Sequence, residues 1–456
     1  MADTGLTAAL AAYAAAPDLG AHEDQALAAA QAGLTDTLAT LLAGWREPVV
    51  QTVLGHVARG PAPAEAPLLF DGRLLGSEQA ACVNATAAHA LDYDDVAFGA
   101  HPSTVLVPAL LAEGHRLGAG GRAVLRAYVV GFEVWAELFG REPDGLHLKG
   151  WHPTGVLGAV AAAAAVGALH GLPAATLQTA LALAASHAAG LVANFGSMAK
   201  PYHAGRAAAA GVDAVRLAAA GMTAAPDALE HHAGYLAALS PQGRVRREGP
   251  LLAGGAQPQL LAVGLNVKRY PVCYSGHRAI DAAAALAQQH ALVPQDVEQV
   301  EVHIGPAQAS MLRNHRPTTV LEAKFSIEFA LASALVARGC GLAQLDHGFV
   351  NSAPVQALMG RVRTVVEPVP CPLDPTFALA DRVRIGTRSG QVLDSGPVRF
   401  ALGHARHPLT RDALRAKFMD CLAAGGWQDR ADALYGLLDG WPRLADVRTL
   451  AAVLAR

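Results

Sequence analysis

From Gly155 to Leu169 the chain runs Gly-Val-Leu-Gly-Ala-Val-Ala-Ala-Ala-Ala-Ala-Val-Gly-Ala-Leu, fifteen residues almost without side-chain volume. That run falls short of the roughly 20 residues a membrane-spanning helix needs. It predicts a buried helix packed closely against its neighbours, because Ala and Gly let helices approach where larger side chains would hold them apart. The bias extends to the whole chain, which is 52% hydrophobic yet only 5% aromatic. Charged residues make up 16%, against about 25% in ordinary soluble proteins. A chain this apolar is not disordered.

The other global features narrow the function classes. At roughly 150 residues per domain, 456 residues allow two or three domains. Lys plus Arg number 35 against 38 Asp plus Glu, a net charge of −3 without a basic stripe, so nucleic acid is not an expected partner. The N-terminus carries Asp3 where a secretory signal would be positive, and Pro17 is expected to end a first short helix. The five cysteines are scattered with no CxxC pair, which argues against a zinc knuckle or disulfide framework and fits a reduced, cytoplasmic compartment. Phosphate-loop, HExxH and GxSxG motifs are all missing, so nucleotide binding has no support in the sequence.

Periodicity divides the chain. Up to about residue 265 it reads as helix after helix, at 77–90 with Ser77 as a possible cap, then 103–117, 120–139, 153–170, 174–189, 201–221 and 226–239. Beyond 267 alternating strands are expected at 299–304, 361–367, 381–387 and 391–400, with helices at 277–291 and 318–338. Helical character returns from about 403. The fold expected is mainly α: a large all-helical domain of residues 1–266 plus 403–456, with an inserted smaller α/β (α+β) unit at 267–402.

Four segments gather His, Lys and Asp near helix ends. The first is His89-Ala-Leu-Asp92-Tyr-Asp94-Asp95, followed by His101-Pro-Ser103. Carboxylates at a helix C-terminus oppose the macrodipole, so this is either a solvated acidic loop or a set of groups tuning a histidine. In the second, Gly150-Trp-His152-Pro-Thr-Gly155, His152 either bonds the helix end or belongs to a site. The third, Gly196-Ser-Met-Ala-Lys200-Pro-Tyr202-His203-Ala-Gly205, places Lys200 just outside a helix N-terminus, an unfavourable position for a cation unless an anion shares it. The fourth, Lys268-Arg-Tyr-Pro-Val-Cys273-Tyr274-Ser-Gly-His277, is either a solvated linker or a hinge that closes on a ligand. Lys200 and Lys268 would repel a cation, so no metal site is expected.

Together these segments resemble the MmgE/PrpD family. The most specific stretches are HALDYDD with HPS at 89–103, GSMAKPYHAG at 196–205 and KRYPVCYSGH at 268–277, supported by GWHPTG at 150–155, KFS at 324–326 and the stretch at 403–418. The resemblance implies a helical domain with a smaller lid, the site between them, a homodimer, and chemistry beside a carboxylate without metal or cofactor. Carried over residue by residue, it implies catalytic Asp92, His101, His152 and Lys200. Substrate binding would fall to Lys268 and His277, with Tyr202, His203 and Tyr274 as further candidates.

The common step would be proton removal next to a carboxylate, with Lys200, Lys268 and His277 spreading the charge and His101 or His152 as base. Val96 stands where dehydratase- and decarboxylase-like members carry Thr, and the loop before His101 is short. That departure leads to the expectation of an epimerase acting on a dicarboxylate of the iminodisuccinate type. The alternatives are a hydro-lyase or decarboxylase on a 2-methylcitrate- or cis-aconitate-like tricarboxylate, and a non-catalytic polycarboxylate-binding protein.

Overall fold

The computed structural model describes residues 5–60, 63–372 and 374–455, so Asp3 and Arg456 lie outside the described residues. Helices α1 (Leu6–Ala15), α2 (Glu23–Gly44), α3 (Pro48–Val57), α4 (Ser77–His89), α5 (Pro102–Leu117), α6 (Gly121–Arg141), α7 (Pro153–Leu169), α8 (Ala174–Ser186) and α9 (Ala199–Ala219) form the first body. The Ala-rich run is α7, and it is buried along nearly its whole length. The physical use of its missing side chains is visible at Gly211 of α9, where an added Cβ would come 2.4 Å from Ala162 of α7. Gly205 does the same against α4, where a Cβ would meet the Cys82 carbonyl oxygen at 2.5 Å. Low side-chain volume is thus what lets α4, α7 and α9 stack around the site.

Among the described residues, one helix is long and apolar enough to cross a membrane. The segment Gly20–Gly44 has a mean hydropathy of 1.2, but 67% of that window is buried inside the protein. It also carries the buried Asp36, paired with Lys417 at 2.6 Å.

After Lys268 the architecture changes. Strand β1 (Val297–Ile304) pairs in parallel with β2 (Val362–Val366) and antiparallel with β3 (Arg382–Thr387), which pairs with β4 (Val392–Asp394). Val300, Val302, Ile304, Val383 and Ile385 turn to one face and are fully buried with α10 (His277–Gln289) and α11 (Ile327–Ala337). The chain ends in α12 (Arg411–Gly425) and shorter helices, whose Phe418, Leu422 and Leu434 join the core of the first body. There are accordingly two main apolar cores: one from residues 6–265 and 418–454, the other from Phe195 and residues 270–393.

Several elements differ from the sequence expectation. The helix expected at 226–239 is only Tyr235–Leu239, and the strand expected at 391–400 stops at Asp394 because Gly396 turns the chain at φ +65° and Pro397 has no N–H to donate. The helix expected at 318–338 is two helices. Thr319 caps the first, and Ser326 caps the second by accepting from the Phe329 N–H at 3.1 Å, so the chain breaks at Lys324–Ser326. Ser77 is the first residue of α4 and not its cap, which is Gly76.

Candidate active site

Two His-Pro pairs set the site. His101 and His152 are the residues just before α5 and α7, with Pro102 and Pro153 at the first helical positions. Proline suits that position and holds the preceding residue out of the helix, which places each histidine at a helix mouth. The His101 N–H joins the two mouths by donating to Thr154 Oγ1 at 3.2 Å, while the His152 N–H donates at 3.0 Å to the Gly190 carbonyl in the loop after α8.

The turn that follows α4 gives each of its acidic side chains a separate task. Asp92 has a left-handed backbone, φ +52°, a conformation that costs a non-glycine residue about 1 kcal/mol or more. Its Oδ1 accepts from Lys200 at 2.7 Å and from Lys268 at 2.8 Å. Burial would raise its pKa, but these two ammonium groups outweigh that effect and hold the carboxyl well below the usual range. Asp94 lies between two histidines, with His89 Nδ1 2.9 Å from Oδ1 and His101 Nδ1 2.9 Å from Oδ2. Asp95 points away from them and accepts from Ser103 Oγ, which is also bonded to Tyr128 at 2.6 Å.

This geometry assigns the His101 tautomer. Nδ1 faces both Asp94 and the Asp95 carbonyl oxygen at 3.1 Å, two acceptors, so it carries the proton. Nε2 is then a lone pair, 3.6 Å from Asp92 Oδ1. Burial, with Lys200 and Lys268 nearby, pushes His101 below its ordinary pKa, and the same burial drives His152 further down.

A narrow crevice of about 50 Å³ opens on this cluster. Of the candidate residues, Asp92, His101, His152, Lys200, Lys268 and Tyr274 line it. Three expected residues do not. His277 starts α10 and is turned into the second core, with Nε2 3.3 Å from the Val272 carbonyl and its ring against Tyr270 and Tyr274. His203 stands behind His152, the two Nδ1 atoms 3.1 Å apart, and Tyr202 packs against the helical core. Lys200 lies within the first turn of α9 and not before it, and the anion that relieves it is the chain's own Asp92.

Other parts of the wall escaped sequence reasoning. Phe195, Met311, Phe325 and Phe377 join the Val96 already noted to give it an apolar side; Lys200 Nζ rides over the Phe195 and Phe325 rings at 5.4 and 5.2 Å. Cys273, Ser275, Thr376 and His147 also contribute. Ser275 and Cys273 lie inside the KRYPVCYSGH stretch, so position alone could have flagged them; the phenylalanines carry no chemical signal. His89 and Asp94 sit inside the first motif without having been given roles.

His89, Asp92, Asp94 and His101 offer one ligand atom each, all within 4.8 Å of one another. Two ammonium groups already occupy the same Asp92 oxygen, and a divalent ion there would face both at contact distance. The donor set therefore suits proton handling better than cation binding.

Comparison with known proteins agrees over most of the chain. Residues 8–248 match the MmgE/PrpD N-terminal domain, and residues 270–435 match the MmgE/PrpD C-terminal domain. Human cis-aconitate decarboxylase is 29% identical over 392 residues, covering 82% of this chain and 79% of the human protein. The Aspergillus terreus cis-aconitate decarboxylase is 26% identical over 434 residues, 90% of this chain and 87% of the fungal one.

Proposed function

The chain belongs to the MmgE/PrpD family and is an enzyme, and on that footing we propose that it releases carbon dioxide from a small unsaturated tricarboxylate of the cis-aconitate type. The observation that carries this reading is the pairing of Lys200 and Lys268 on Asp92 beside the free nitrogen of His101. The names of the relatives support a lyase over the epimerase first expected from Val96. Physically, the missing hydroxyl at 96 does not leave the cavity without donors, because Ser275 and Thr376 line the same wall.

In this reading the two lysines receive substrate carboxylates. One carboxylate leaves as carbon dioxide, and its bonding pair passes into the neighbouring double-bond system. The ammonium groups stabilise the charge that develops on the carboxylates that remain. His101 supplies the proton that the carbon takes up. The free enzyme holds His101 neutral partly because of the lysines, so an anion seated on them offsets that effect and lets Nε2 take up a proton as substrate binds. The unit at 267–402 acts as a lid over the helical domain of 1–266 plus 403–456, and two copies form the working dimer.

The test is an assay of the purified full chain with cis-aconitate, following carbon dioxide and the one-carbon-shorter alkene by NMR. Equal amounts of the two products are expected. A folded enzyme that yields no carbon dioxide from cis-aconitate or from a panel of related tricarboxylates would overturn the reading. Dialysis against EDTA is expected to leave the rate within twofold, because the lysines and not a cation neutralise Asp92; loss of activity restored by a divalent metal would instead assign the His89–Asp92–Asp94–His101 quartet as ligands.

A further inference from the structure

Where α4 ends, its last carbonyls and those of the turn beyond have no helical partners. In this buried turn three lysines take their place. Lys324 Nζ donates to the Ala90 carbonyl at 3.0 Å, Lys268 Nζ to Asp92 at 2.7 Å, and Lys417 Nζ to Tyr93 at 2.8 Å. All three are at most 6% exposed. They come from separate parts of the chain: the segment entering the α/β unit, the break between two helices inside that unit, and helix α12. Cations at a helix C-terminus are favourable, and an unsatisfied buried carbonyl costs about 1–3 kcal/mol.

Lys324 differs from the other two. Lys268 also reaches the Asp92 carboxylate, and Lys417 that of Asp36. Among the described residues no carboxylate lies within ion-pair distance of Lys324. A buried ammonium group without a counter-ion is expensive, and an apolar side chain would fill the space at lower cost. Its main chain is engaged as well, since the Lys324 carbonyl accepts from the Cys273 N–H at 2.9 Å in the segment that carries Lys268. One residue therefore links the turn of the helical body to the wall built by the α/β unit.

We infer that Lys324 is a positioning residue: by bonding the Ala90 carbonyl it sets the strained turn that aims Asp92, and so ties the alignment of Asp92, Lys200 and His101 to the seating of the α/β unit. The effect on turnover rests on the decarboxylase reading; the effect on the turn does not. The test uses Lys324→Met, which keeps length and removes the donor, with Lys324→Gln, which keeps a donor. Hydrogen–deuterium exchange without substrate is expected to show amides of 90–96 exchanging at least about tenfold faster in the Met variant, with those of α7 unchanged. The kcat for carbon dioxide release is expected to fall by about 10–100-fold while KM stays within threefold, since misplacing a catalytic group by about 1 Å costs that much. Lys324→Gln is expected to recover most of both changes. Exchange and kcat both at wild-type values, or faster exchange spread over the whole protein, would overturn the assignment. Altered exchange at 90–96 with no wild-type turnover of any tricarboxylate would sink the decarboxylase reading alone.

Discussion

Replacing His101 by Asn is expected to lower kcat for carbon dioxide release by about 10²–10⁴-fold, the usual worth of a positioned proton-transfer group, while KM changes only a few-fold. The two effects separate because different groups carry them. In the proposed reaction substrate carboxylates would be received by Lys200 and Lys268, which the substitution leaves bonded to Asp92 at 2.7 and 2.8 Å. The proton belongs to His101, whose Nδ1 is committed to Asp94 and the Asp95 carbonyl, leaving Nε2 for the cavity. Asn can reproduce the buried donor and cannot exchange a proton near neutral pH. Asp94 retains His89 at 2.9 Å, so the fold should survive. Steady-state kinetics with a thermal-unfolding control decide the matter. A kcat within threefold of wild type would transfer the proton step to His152, the other histidine on the cavity wall.

The second large effect is acid sensitivity of the fold. Burial pushes His89 and His277 down from 6.5 to about 3, and His147 to about 4. The folded state therefore holds these rings neutral, while the unfolded chain protonates them near 6.5. A depressed folded pKa means that stability is complete above the unfolded value and is lost as pH falls toward the folded one. Each group costs up to about 1.4 kcal/mol per pH unit in that window. Buried carboxylates pushed the other way, Asp381 to about 7 and Asp95 well above its usual range, take up protons in the folded state over the same window and offset part of that loss. Carboxylates held low, Glu113 at about 2 and Asp92 and Asp94 well below their usual range, add to the loss only in stronger acid. Urea midpoints measured from pH 8 to 4 should turn downward below about 6.5, and His277→Gln should flatten part of that slope. A profile that His277→Gln leaves unchanged would mean that this ring is hydrated in solution.

How far the site could be read in advance depended on the kind of residue. Asp92, His101, His152, Lys200 and Lys268 stood out because polar groups at helix ends of an Ala-rich chain have little reason to be there except chemistry. Phe195, Phe325 and Phe377 did not, since an aromatic side chain in sequence looks the same whether it fills a core or lines a cavity. His277 misled for a local reason: it begins a helix as His101 and His152 precede theirs, but it lies inside α10, so its ring enters the second core. Lys324 and Lys417 were visible only as parts of recurring short stretches, because their partners are carbonyl oxygens more than 230 residues away.

The sequence by itself determined the scaffold. An Ala-rich run between Pro153 and His170 can be stable only as a tightly packed helix, and the switch to two-residue alternation after 267 required a second, sheet-containing region; both follow from local periodicity and side-chain volume. It also marked which rare polar residues to watch. Only the tertiary structure decided their pairing: that the anion beside Lys200 is Asp92, that Asp94 is shared by two histidines, and that three lysines from distant segments hold one turn. Hydrogen bonds and ion pairs act over about 3 Å in space and carry no memory of separation along the chain, so no spacing rule could have foretold them.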